Sequence, residues 1–290
     1  MTIRTLLVPV DGSTASSQAL ASALGLAKDL TAHVTALHVR ADPRDTVPLL
    51  GEGLSANMIE EMMAAAERES DHAAARAHEV FENALRKAGL PSVDPSPAPG
   101  EASATWLEDL GRAEGAIAHA GRLSDMMVMP RPDGDGGYGA DSILNAALFE
   151  TGRPVLIAPP DAGPVPGRHV AVAWNGTREA ARAVHAALPL LKKADQVTVL
   201  TVTDSDEVMP AQDAAELVEY LEWHGIDPKA ATVAAEGRSV GQTILAEAHA
   251  RGCDLLVMGA YTHSRMRELV LGGVTKYMLA HTETALMMAH

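Results

Sequence analysis

A chain of 290 residues has room for two domains of ordinary size, and its 47% hydrophobic content is that of a globular protein. Only 3% of residues are aromatic and alanine runs are frequent, which favours helices packed closely on a sheet over an all-β sandwich. The formal net charge of -15 opposes non-specific binding to nucleic acid or to an anionic membrane, and the single cysteine, Cys253, excludes an intrachain disulfide or a thiolate metal cluster.

The chain opens with TLLVPVDGSTASSQALASALGLAKDLTAHVTALHV. This reads as a short apolar strand, a turn at Asp11 and Gly12, an amphipathic helix and a second strand. Leu20, Leu24 and Ala27 share the apolar face of that helix, and Ser13 or Thr14 caps its first turn. The apolar run before Asp11 is too short for a secretory leader or a membrane span, and no other stretch reaches about 18 uninterrupted apolar residues, so a soluble cytoplasmic protein is expected.

A long helical crossover follows, SANMIEEMMAAAERESDHAAARAHEVFENALRKAG, in which Met62, Met63, Phe81 and Leu85 are expected to pack on the sheet. RLSDMMVMP then supplies a wholly apolar strand of the kind buried on both faces in a parallel sheet. ALFETGRPVLIAPP is a helix end, a turn and a last strand. The joint APPDAGPVPGRH, with four prolines and two glycines, interrupts regular structure and divides the chain into domains 1–163 and 164–290.

Beyond the joint the same grammar returns. RHVAVAWNGTREAARAVHAALPLLKKADQVTVLTV repeats the opening, with Val8 matching Val172, Asp11 matching Asn175 and Gly12 matching Gly176; Val184, Ala187, Leu188 and Leu191 form the helical stripe. RGCDLLVMG repeats RLSDMMVMP, and YMLAHTETALMMAH repeats ALFETGRPVLIAPP. Internal duplication predicts two similar α/β domains, each a doubly wound, mainly parallel five-stranded sheet with helices on both faces. The crossover helix of the second half, about AQDAAELVEYLEWHG, is much shorter than its counterpart. Cys253, just ahead of an apolar run, reads as a buried structural thiol.

In such sheets ligands gather beyond the carboxyl ends of the strands. In the second half this selects Asn175, the end of the second strand, and the segment from Gly259 to Thr275. Glycines at Gly259 and at Gly272 and Gly273 let backbone N–H groups approach an oxyanion, and His263 and Arg265 lie nearby to screen its charge. On spacing alone the segment reads rather as a strand end followed by a helix start. Neither GxxxxGK[ST] nor GxGxxG occurs where a P-loop or dinucleotide site needs it. His72, His78 and His119 fall in helical stretches without metal-ligand spacing, and Asp42, Asp45, Asp204, Asp206 and Glu207 read as a solvated rim. Arg178, Arg182, Lys192 and Lys193 read as a charged helix face.

LLVPVDGS, LHV, DLLVMGAYTHSRMRELVLGGVTKYML and the duplication together resemble the universal stress protein family in its tandem form, over nearly the whole chain. The resemblance implies two domains packed as a pseudo-dimer through edge strands, here PVLIAP and ALMMAH. Residual edges and the methionine-bearing helix are expected to support a homodimer. It also implies ATP or another adenine nucleotide, with or without Mg, as a regulatory ligand in a stress response, and no catalytic residues. Its phosphate pattern, Gly-x2-Gly-x9-Gly-Ser or Gly-Thr, is met here by Gly259, Thr262, Gly272 and Gly273. Thr262 therefore replaces a glycine and Gly273 a hydroxyl. The implied cleft is completed by Ala173, Asn175, the backbone near Val202, Met258 and Tyr261, with Val274 and Thr275 beside the phosphates. In the first half Pro130, Pro132, Asp133 and Asp135 stand where phosphate would sit, so at most one nucleotide per chain is expected. A ligand-independent interaction protein with a vestigial cleft, and slow ATP hydrolysis, are the alternatives.

Overall fold

The computed structural model describes residues 2–46, 55–93, 100–132, 138–160, 166–203, 211–260 and 273–290. The first half runs β1 (Thr5–Pro9), α1 (Thr14–Leu30), β2 (His33–Arg40), a 3-10 turn (Pro43–Thr46), α2 (Ala56–Ala88), β3 (Ser103–Leu110), α3 (Ala113–Gly121), β4 (Met126–Met129), α4 (Tyr138–Glu150) and β5 (Val155–Ile157). The second repeats it as β6 (His169–Ala173), α5 (Arg178–Leu191), β7 (Gln196–Thr203), α6 (Ala211–Trp223), β8 (Pro228–Ala234), α7 (Val240–Ala250), β9 (Leu255–Gly259), α8 (Gly273–His281) and β10 (Ala285–Ala289). The joint assigned to the domain boundary includes residues 161–165, which lie outside the described residues.

Helix starts follow the capping chemistry legible in the sequence. The Ser13 hydroxyl accepts from Ser16 N at 3.1 Å, and Thr177 does the same for Ala180 N at 3.3 Å. Ser239 and Gln242 close a reciprocal capping box at the start of α7. Gly89 ends α2 with φ +63, a left-handed conformation that glycine adopts without a Cβ penalty.

Alternate residues along each strand face opposite helix layers. Leu6, Val8, Met126 and Val128 join the core beneath α1 and α2, whereas Leu7, Met127 and Met129 join the one beneath α3 and α4. The second half divides likewise between α5 with α6 and α7 with α8. Both sheet faces are therefore covered, and the strands read as continuous apolar runs for that reason.

The strand order is β3-β2-β1-β4-β5-β10-β9-β6-β7-β8. Within each half neighbours are parallel, and the two five-stranded sheets join by antiparallel pairing of β5 with β10, Leu156 opposite Met287. Two similar units thus share one continuous ten-stranded sheet, and the joining strands are the two edges that the resemblance implied.

The duplication extends to a feature that the sequence reading did not single out. Asp125, just before β4, accepts from Arg4 N at 2.7 Å and Thr5 N at 3.0 Å. Asp254, just before β9, accepts from Gly167 N, Arg168 N and His169 N at 3.0–3.1 Å. Each carboxylate ties the entry of the first strand of its half to the fourth. The long helix α2 departs from expectation: Phe81 and Leu85 are buried as expected, but Met62 is 39% exposed and Met63 only half-buried. Full burial along α2 begins at Ala74, so its earlier turns extend past the part of the sheet that could cover them.

Candidate functional site

The order 3-2-1-4-5 within a half reverses between its first and fourth strands, and a doubly wound sheet opens its crevice at that point. In the second half the crevice lies between the carboxyl ends of β6 and β9, where Ala173 pairs with Met258. Ala173 and Met258 belong to the apolar cluster beneath α7 and α8, and Val202 and Val274 pack against that same cluster. Four of the residues that the resemblance selected therefore lie on the same face of the sheet. Thr275 is buried in the first turn of α8. Tyr261, Thr262, His263, Arg265 and Gly272 lie outside the described residues.

Asn175 is exposed just beyond β6, and its side-chain oxygen accepts from the Thr177 hydroxyl at 2.7 Å. Thr177 in turn caps α5, so Asn175 orients the start of that helix. Asp11 plays the same part in the first half by accepting from Ser13 N at 2.9 Å. Burial raises the Asp11 pKa, but hydrogen bonds from the Ser13 hydroxyl and N–H and from Ser16 outweigh it and hold the carboxyl below its ordinary range.

Gly259 is a glycine for packing. A Cβ there would stand 2.5 Å from Ala180 N and 2.7 Å from the Glu179 carbonyl carbon, both backbone atoms of the first turn of α5. A Gly259→Val change therefore reports on helix docking before it reports on any ligand. Gly273 is the opposite case: nothing among the described residues lies within 4 Å of its Cβ position, and its φ is outside the left-handed region.

Sequence reasoning did not single out Glu179, which stands beside Arg178 at the start of α5. Its side chain is 3% exposed and pairs with Arg178 Nε at 2.5 Å. Burial raises its pKa, yet the Arg178 hydrogen bond, the helix N-terminal backbone and the charges of Arg178 and His290 bring it below the usual value. The signal was present as alternation: Glu179 stands beside Ala180, Ala183 and Val184 on the buried face of α5. Cys253 is buried as expected, and burial pushes its thiol pKa up, with Arg251 opposing and Asp254 assisting.

The first-half crevice differs. A Cβ on Gly12 would meet Ala77 N at 3.1 Å, so α2 lies directly over that turn. Pro130 and Pro132 follow β4 and offer no amide donors. Asp133 and Asp135 lie outside the described residues. Asp42, from the acidic loop after β2, is bound to Arg44. Among the described residues no group of three His, Cys, Asp or Glu side chains is placed to hold a metal ion, and no helix is long and apolar enough to cross a membrane.

The universal stress protein family model matches residues 2–95 and 167–290. A universal stress protein from Archaeoglobus fulgidus DSM 4304 has a similar structure, at a TM-score of 0.69 and 16% identity, over 98% of this chain and 97% of that one. A putative universal stress protein from Pseudomonas aeruginosa UCBPP-PA14 matches at a TM-score of 0.58 and 14% identity, over 99% and 93% of the two chains. No curated protein matches the chain significantly. Two matched segments, one in each half of a duplicated sheet, place the chain in the universal stress protein family as a tandem member.

Proposed function

We propose that the second half binds an adenine nucleotide, ATP or a close relative, as a regulatory ligand in a cytoplasmic stress response, and that the first half does not. The observation carrying this reading is the contrast between the two switch-point crevices. In the second, Ala173, Val202, Met258 and Val274 lie in or against one apolar cluster, which supports a base-binding wall there, and α8 opens on an exposed Gly273 with no described residue within 4 Å of its Cβ position. Backbone N–H groups at such a helix start attract phosphate even in a protein of net charge -15. Asn175 offers its amide group beside this wall. In the first, α2 covers the Gly12 turn and prolines replace the amide donors.

Gly273 supplies the test. The family resemblance places a Ser or Thr hydroxyl here, and the ordinary φ and the absence of any described residue within 4 Å of the Cβ position accept one. Gly273→Ser restores a charge-assisted donor worth about 1.5–3 kcal/mol, so ATP affinity measured by calorimetry is expected to rise about ten-fold or more. Gly273→Pro removes one amide donor at a position where a helix tolerates proline, and affinity is expected to fall. Titration with and without magnesium, in folded protein freed of carried-over nucleotide, gives one site per chain if the reading holds. No binding to millimolar ATP in either wild type or Gly273→Ser sinks it and leaves the scaffold reading. Sustained phosphate release tracking the Gly273 variants would instead support hydrolysis.

A further inference from the structure

The loop after β4 in the first half has lost the donors of a phosphate loop, yet one of its residues reaches across the seam. Arg131, between Pro130 and Pro132, donates from Nη1 to the Thr282 carbonyl at 2.6 Å and from Nη2 to the Ala280 carbonyl at 3.1 Å. These carbonyls lie at and just past the carboxyl end of α8, the helix whose other end carries Gly273, Val274 and Thr275. The contact follows from topology. Because β5 and β10 run antiparallel, the carboxyl end of the β4 side lies beside the amino end of β10, where α8 terminates.

The last carbonyls of a helix have no intrahelical partner, and a cation there complements the helix dipole. At the end of α8 the Tyr277 carbonyl is met by the His281 ring at 2.9 Å and the Met278 carbonyl by Thr282 N at 2.9 Å. Arg131 supplies Ala280 and Thr282 from the other half of the chain. α8 is also held by packing: Met278 and Leu279 are buried in the core, and a Cβ on Gly241 of α7 would meet the Tyr277 ring at 2.8 Å, so the two helices are in close contact.

We infer that Arg131 is a positioning residue that couples the halves. The first half, with its crevice covered, clamps the distal end of α8 and so fixes the amide donors at the proximal end, about 13 Å away along a nine-residue helix. This deepens the nucleotide reading and rests on it for its ligand end; the clamp is measurable without ligand.

The test is hydrogen–deuterium exchange on the full chain without nucleotide, followed by ATP calorimetry, for wild type, Arg131→Ala, Arg131→Lys and Arg153→Ala. Arg153 is the control, since its guanidinium meets the Arg122 carbonyl in the first half. Arg131→Ala is expected to speed exchange at residues 277–284 at least ten-fold and to weaken ATP binding about ten-fold. Arg131→Lys is expected to restore part of both, and Arg153→Ala to leave both unchanged. Unaltered exchange in α8 of folded Arg131→Ala overturns the clamp. Faster exchange with unaltered affinity overturns the coupling. A wild-type protein whose α8 is protected by Arg131 but which binds no ATP overturns the nucleotide reading, and the coupling to it, through the calorimetric arm alone.

Discussion

Two residues at one position of the repeat show how little the element pattern says about polar satisfaction. His38 in β2 and Thr201 in β7 occupy equivalent places, and both are buried. His38 Nδ1 meets the Val10 carbonyl at 2.8 Å, and its ring stacks on Trp106 with centroids 5.9 Å apart. The Thr201 hydroxyl has no hydrogen-bond partner among the described residues. A buried hydroxyl without a partner costs about 1–3 kcal/mol. Thr201→Val keeps the shape and is expected to raise stability by about 1–2 kcal/mol in chemical denaturation, with an unchanged slope. A loss of stability would show that the hydroxyl holds a water or a ligand.

Titration is also a residue-scale property, and here its signs agree. The Asp11 and Glu179 carboxyls are held below their ordinary range, so the stability they contribute is present above the unfolded carboxylate pKa of about 4 and is lost as pH falls through the folded values. Burial lowers the His33 pKa, so the unfolded state binds that proton more readily, and stability falls as pH drops below about 6.5. Unfolding free energy is expected to decline in two acid steps, near pH 6 and below pH 4. His33→Gln should remove the upper step and Glu179→Gln should shrink the lower; a flat profile between pH 7 and 5 in wild type would contradict the first assignment.

At the scale of elements, periodicity located the buried faces of α1 and α5, and Ser13 located the start of α1. Leu20, Leu24 and Ala27 in α1 and Val184, Ala187, Leu188 and Leu191 in α5 are all buried. Met62 failed because periodicity marks a face without saying whether the neighbouring element is long enough to cover it. Glu179 was not legible as a buried residue because a charge is not expected on an apolar stripe: the helix N-terminus and Arg178 stabilise a carboxylate on a face otherwise made of alanine, valine and leucine. The remaining sheet edges carry charge, Glu108 and Asp109 on β3 and Lys229 on β8, which discourages strand addition there.

At the scale of the molecule, the seam is only three residue pairs in register and is among the most buried parts of the sheet. Val155, Leu156 and Ile157 meet Met288, Met287 and Leu286, all within 1% of full burial. Cutting the chain at the joint would expose β10 as an apolar edge without charge to protect it. The isolated segment 166–290 is therefore expected to sediment as a dimer, its β10 strands paired antiparallel in place of β5. A monomer in analytical ultracentrifugation would mean that the helices flanking β10 protect the edge.

By itself the sequence determined the duplicated α/β plan, the buried faces of α1 and α5, the cap of α1 and the family, because these depend on local periodicity and on residues repeated at matching places. Its family resemblance also selected Ala173, Val202, Met258 and Val274, which lie in or against one apolar cluster on the same face of the sheet. Tertiary structure alone decided that Gly259 serves the docking of α5, that α2 covers the Gly12 turn, and that Arg131 holds the end of α8. Each is a contact between segments far apart in the chain. Their meeting is set by the sheet order and the antiparallel seam, which no local pattern encodes.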